Sequence, residues 1–165
     1  MTIVITRRRF LVLLGATGAV GLGVVGGAAL LPDEGDADDG FPVIRYGEES
    51  CARCGMIIDD VRFAAAWSGP NRIETHFDDI GCALMEAAEH PPATGARCFV
   101  HDYESEQWLD APGAAFVLSP AIRSPMAYGV AAFAGVDAAR RVALEVGGKV
   151  HTFDVLPLEL ERSAA

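Results

Sequence analysis

Arg72-Ile73-Glu74-Thr75-His76-Phe77-Asp78-Asp79-Ile80-Gly81-Cys82 is the stretch on which the reading of the fold turns. Its first half alternates, with Ile73, Thr75 and Phe77 on one face and Arg72, Glu74 and His76 on the other, which is the period of a strand. Asp78 or Asp79 then offers a carboxylate to the free amides of a helix start. The apolar run that follows predicts a helix to about His90, stopped by Pro91-Pro92. Upstream, Arg62 to Trp67 reads as a strand joined to this one through the turn residues Ser68-Gly69-Pro70-Asn71. Downstream, Arg97 to Asp102 reads as a third strand. The second half of the chain repeats the order. Ala114 to Leu118 and Tyr128 to Phe133 are strand-like, Asp137 can cap a helix through Val146 closed by Gly147-Gly148, and Lys149 to Val155 forms a last strand. The expectation is an α+β fold of two successive ββαβ units in one compact domain.

Ahead of the domain, Thr6-Arg7-Arg8-Arg9-Phe10-Leu11 resembles a twin-arginine export signature, and the 22 residues from Phe10 to Leu31 carry no charge. Basic first and apolar second is the layout of an export signal. Left uncut, the same segment, residues 10–31, is long enough to anchor the chain in a bilayer. Residues 32–47 are acidic and broken by Gly and Pro, which predicts a flexible linker. The chain thus divides into a signal or anchor over 1–31, a linker over 32–47, a folded domain over 48–157 and a tail over 158–165. The expected location is periplasmic or otherwise extracytoplasmic. With 13 basic and 23 acidic residues the net charge is −10, which excludes nucleic acid as a natural partner.

The chemistry concentrates in Cys51-Ala52-Arg53-Cys54-Gly55-Met56, three soft sulfur donors within six residues. Thiolates and thioethers favour Cu(I), and because zinc rarely takes a thioether, Met56 tilts the motif from a zinc knuckle towards copper. A further donor must come from elsewhere, and Met126 is well placed in Ser124-Pro125-Met126-Ala127-Tyr128-Gly129, where proline and glycine shape a presenting loop. Cys51, Cys54, Met56 and Met126 are therefore the candidate metal ligands. Met85 reads as core packing. Cys82 falls in the first turn of its helix, where the dipole is expected to lower a thiol pKa. It could meet Cys98 as a disulfide, although two buried free thiols are favoured. His76 and His101 read as structural hydrogen-bonding groups, His90 and His151 as surface residues.

Taken in order, Cys51-x-x-Cys54-Gly55-Met56, Phe77-Asp78-Asp79-Ile80-Gly81-Cys82, Val100-His101-Asp102-Tyr103, Trp108-Leu109-Asp110-Ala111, Ser124-Pro125-Met126 and Ala132-Phe133 resemble the NosL family over roughly residues 48–155. The resemblance implies an exported copper-binding accessory protein that delivers Cu(I) to a multicopper enzyme, nitrous oxide reductase being the leading client. By position it implies Cys54, Met56 and Met126 as copper ligands, and leaves open whether Cys51 joins them. Many family members are lipoproteins. This chain has no lipobox cysteine, so any membrane tether would fall to its signal. The chief alternative is an enzyme, a thiol–disulfide oxidoreductase using Cys51 and Cys54. It sits poorly with the strand-like Ile57-Ile58 behind the pair, since such motifs usually open a helix.

Overall fold

The computed structural model describes residues 40–164. Two antiparallel sheets carry the chain. The first has β1 (Ala65–Ser68) at its centre, flanked by β2 (Glu74–Phe77) and β3 (Arg97–His101), with β4 (Trp108–Asp110) beyond β3 at the edge. The second has β5 (Ala115–Leu118) between β6 (Val130–Phe133) and β7 (Lys149–Thr152). In each sheet the first strand pairs with the next by a hairpin and with the third after a helix, α1 (Ile80–Glu89) or α2 (Val136–Val146). Both halves therefore have ββαβ topology, and the molecule is α+β, as the sequence pattern requires.

The units are joined at Asp102, which makes a parallel bridge to Ala132. One of its carboxylate oxygens accepts from the Ala134 amide at 2.8 Å, and the other accepts from the Ser105 amide and hydroxyl at 2.9 and 2.6 Å. A buried carboxylate is costly unless satisfied in this way. Alternation along β5 then feeds two cores. Phe116 enters a large one with Ile44, Ile58, Phe77, Ile80, Leu84, Val100 and Val130. Val117 enters a smaller one with Phe63, Ala131, Phe133 and Ala139 beneath α2. All four residues of β6 are buried, so that strand is packed on both faces. Each fully buried large apolar side chain contributes roughly 1.5–3 kcal/mol.

Local chemistry moves several expected boundaries. Residues 61–63 form a 3₁₀ turn and the strand begins only at Ala65. The cause is Asp60, whose carboxylate accepts from the Arg62 amide at 3.2 Å and from its guanidinium at 2.9 and 2.7 Å, favouring a turn over an extended chain. The cap position of α2 is Gly135, not Asp137, which lies in the first turn and pairs with Arg140 at 3.4 Å. Gly147 closes α2 in the left-handed conformation, as expected. The expected linker is partly folded. Pro42 and Ile44 are buried, and Phe41 meets Phe99 edge-on at 5.7 Å. Residues 158–164 of the expected tail belong to a helix, α3 (Leu156–Ala164), because Leu156 and Leu160 fall one turn apart and both enter the large core. Leu160→Ala should accordingly cost about 2–5 kcal/mol in urea unfolding, the range for a truncated core leucine. A loose tail would give a change too small to measure. Among the described residues no helix is long and apolar enough to cross a membrane. The expected signal or anchor over 1–31 lies outside them.

Candidate metal centre

Residues 50–57 form a small hairpin. Ser50 and Ile57 bridge in antiparallel fashion, the Cys51 amide donates to the Met56 carbonyl at 2.7 Å, and the Gly55 amide returns to the Cys51 carbonyl at 3.0 Å. Gly55 turns the tip at φ 77°, a conformation that glycine enters without penalty. The hairpin is tied to the end of β2, where the Ala52 amide donates to the His76 carbonyl at 2.9 Å. It is also tied to α1, where the Arg53 guanidinium donates to Glu86 at 3.1 Å and to Glu89 at 2.7 Å.

Folding the tip onto the β2–α1 junction brings two further donors to Cys51 and Cys54. The Sγ atoms of Cys51, Cys54 and Cys82 and a carboxylate oxygen of Asp78 all lie within 4.8 Å of one another. Cys51, Asp78 and Cys82 are buried, whereas Cys54 is half-buried at the entrance. The adjacent aspartates divide the work. Asp79 caps α1, accepting from the Gly81 amide at 2.8 Å, and its other oxygen accepts from the Met126 amide at 3.0 Å. Asp78 is thereby left to face the thiols. Its Oδ1 accepts from the Cys54 thiol at 3.3 Å, and its buried Oδ2 has no hydrogen-bond partner among the described residues.

An unsatisfied buried carboxylate oxygen beside three sulfurs is an unfavourable arrangement that a bound cation relieves. The electrostatics agree. A hydrogen bond from Cys82 holds the Cys51 thiol below its ordinary value, at about 6. Cys82 is raised, first by that same bond and then by burial and its anionic neighbours. The expected lowering of its pKa by the helix dipole is therefore reversed. Burial is also the leading cause of the raised Cys54 pKa. Thiol protons held this way are the ones a thiophilic metal displaces.

Of the sequence-predicted ligands, Cys51 and Cys54 meet in the cluster. Met56 and Met126 lie at the surface, 46% and 39% exposed, on loops that both run to the Asp78–Asp79 junction. The thioethers thus stand outside a buried thiol set. Asp78 and Cys82 were not among the candidate ligands. Asp78 precedes the cap residue Asp79 and Cys82 lies in the first turn of α1, so no helix spacing pairs them in the sequence. Cys98 lies apart, buried in β3, and all four cysteines are free thiols.

The histidines take no part in the cluster. His76 is held between Glu49 and Glu74. His101 accepts from the Tyr46 hydroxyl at 2.7 Å, donates to the Glu106 carbonyl at 2.8 Å and stacks on Trp108, with burial keeping it neutral. His90 is exposed and bonds Glu86. His151, expected at the surface, is half-buried, with its Nε2 enclosed and without a hydrogen-bond partner among the described residues.

A family model for NosL matches residues 42–160. A search of curated proteins returned no match. Among solved structures, the copper chaperone NosL from Shewanella denitrificans is similar to this chain at a TM-score of 0.56 and 18% sequence identity, covering 65% of this chain and 88% of that one. At that identity the likeness speaks for the fold.

Proposed function

The chain belongs to the NosL family, and from that premise we propose that it is an exported Cu(I) chaperone, a binding and transfer protein without turnover. The observation that carries this reading is the convergence of three thiols and one carboxylate within 4.8 Å, with exposed methionines on the two segments that bond the adjacent Asp78 and Asp79. Thiolates supply charge and affinity, and thioethers favour Cu(I) while remaining neutral at any physiological pH. Asp78 is a hard oxygen donor, better suited to orienting the Cys54 sulfur by its hydrogen bond than to binding Cu(I) directly. The fold similarity to a copper chaperone supports the same cargo.

The layout suits transfer. Buried thiols retain the ion, and Met56 and Met126 at the surface let a recipient exchange ligands stepwise without unfolding the donor. Nitrous oxide reductase is the leading recipient, another multicopper protein the next. Residues 1–31 supply the export signal or membrane tether. The oxidoreductase alternative is weakened by the site itself. Its Cys51–Cys54 pair sits on a hairpin tip, and the thiol at the helix start is Cys82.

The test is an anaerobic Cu(I) titration of the reduced protein against bicinchoninate, repeated with Met56→Ala and Met126→Ala. Each variant should weaken binding about tenfold, the scale of a moderate contribution to a metal site. Unchanged affinity in both removes the thioethers from the ligand set. Preference for Zn(II) over Cu(I) would overturn the copper reading.

A further inference from the structure

The four donors of the cluster come from two pieces of chain. Cys51 and Cys54 ride on the 50–57 hairpin, while Asp78 and Cys82 belong to the β2–α1 junction. The hairpin is fixed to β2 by the Ala52 amide on the His76 carbonyl, and the Cys54 thiol adds one weak bond to Asp78 at 3.3 Å. Against these ties stands a buried Asp78 oxygen that has no hydrogen-bond partner among the described residues and lies in a cluster of three sulfurs. That arrangement disfavours closure until a cation enters. Arg53, between the two cysteines, is the side chain placed to hold the tip down. Its guanidinium donates to Glu86 at 3.1 Å and to Glu89 at 2.7 Å. Cys82, Glu86 and Glu89 follow at i, i+4 and i+7, so the thiol and both acceptors share one face of α1. A planar head with five donors serves two carboxylates at once in a way that a lysine ammonium does not. Arg53 and Glu86 are 23% and 28% exposed, so water screens their pair less than one at the open surface. Glu86 is braced in turn by the His90 Nδ1 at 3.0 Å.

We infer that Arg53 is a positioning residue for the metal: its ion pairs with Glu86 and Glu89 close the hairpin over Cys82 before the ion arrives, and so set the affinity of the cluster. The inference deepens the copper reading above and rests on it for the identity of the cargo. Arg53 itself has no acceptor atom to offer a metal. Its contribution is preorganisation, because a tip that is already closed spares binding the cost of ordering it. With the clamp removed the tip spends part of its time open, and affinity falls in proportion to the closed fraction.

Two measurements test the clamp on Arg53→Gln and on the double variant Glu86→Gln with Glu89→Gln. In the reduced, metal-free protein, iodoacetamide should alkylate the buried Cys51 and Cys82 about tenfold faster in either variant, read site by site by mass spectrometry. Cys98, buried in β3, should react at the wild-type rate. In competition with bicinchoninate, Cu(I) affinity should fall by about the same factor, within the tenfold to 100-fold range of outer-shell partners. In a Cys82→Ser background Arg53→Gln should add nothing, because closing the tip no longer brings a third thiolate to the ion. Cys98 alkylation that rises with the others, or an equal loss of affinity in both backgrounds, would show general loosening of the fold and overturns the clamp. Wild-type alkylation and affinity in both variants overturn the clamp alone and leave the copper reading standing. A wild-type protein that fails to hold Cu(I) overturns the copper reading, and with it the role of Arg53 in affinity.

Discussion

Cys54→Ser should weaken Cu(I) binding on the order of 100-fold, and Cys82→Ser should weaken it comparably. Structural metal sites with four protein ligands bind with roughly 10–16 kcal/mol, so losing one strong ligand forfeits about 3 kcal/mol, or about two orders of magnitude. Serine keeps the size of cysteine and can donate to Asp78 at position 54, so the hairpin and its bond to β2 should survive. Cys82 is the discriminating position. If copper were held only by the Cys51–Met56 motif and Met126, Cys82→Ser would bind as wild type does. If the ion enters the cluster in which the Cys82 sulfur lies within 4.8 Å of the other donors, it cannot. Cys98→Ser is the internal control: its thiol is buried in β3 away from the cluster, so it should lower stability and leave Cu(I) affinity alone. A competition titration of the three variants reads all of this, and wild-type affinity in Cys54→Ser would remove that residue from the ligand set.

The contrast between Cys82 and Cys54 shows what a linear reading can reach. Alternation over Arg72–Phe77, the proline stop after His90 and the glycines at 147–148 mark elements whose causes are local, and those elements stand where the pattern puts them. The metal cluster is different in kind. Cys51 and Cys54 declare themselves by spacing, yet Asp78 and Cys82 join them only because the hairpin folds back onto the β2–α1 junction. From sequence alone Asp78 and Asp79 are interchangeable as caps. The structure gives the cap to Asp79 and turns Asp78 towards the thiols. The helix α3 was missed for a related reason. Its nine residues hold two buried leucines among polar neighbours, too weak a pattern to read as core until the large core is there to receive them.

Gly129→Ala should be the most damaging single methyl group added to this protein, costing about 3 kcal/mol or more and loosening copper binding with it. Two independent penalties meet at the position. Gly129 has φ 70°, and a left-handed backbone costs a non-glycine residue roughly 1–2 kcal/mol. The added Cβ would also stand 2.2 Å from the carbonyl oxygen of Ser119, a backbone atom that cannot rotate aside as a side chain would. Ser119 in turn accepts no easy shift, for its amide bonds the Gly129 carbonyl at 2.9 Å and its hydroxyl bonds the Val146 carbonyl at 2.7 Å. Relief must therefore come from the other side, by displacing the 124–129 loop. That loop is held by the Ser124 hydroxyl accepting from the Gly129 amide at 3.0 Å and by the Met126 amide on Asp79. Moving it breaks the second bond and releases the Met126 segment from its anchor on Asp79. Ala127→Gly, also at positive φ in the same loop, makes the comparison fair. There the relief of left-handed strain and the added chain entropy nearly cancel, so stability and affinity should both stay near wild type. Urea unfolding and Cu(I) competition on the two variants separate a specific backbone clash from general sensitivity of the loop. Equal losses in both would show that the loop tolerates no change at all, and wild-type behaviour in Gly129→Ala would show that Ser119 yields after all.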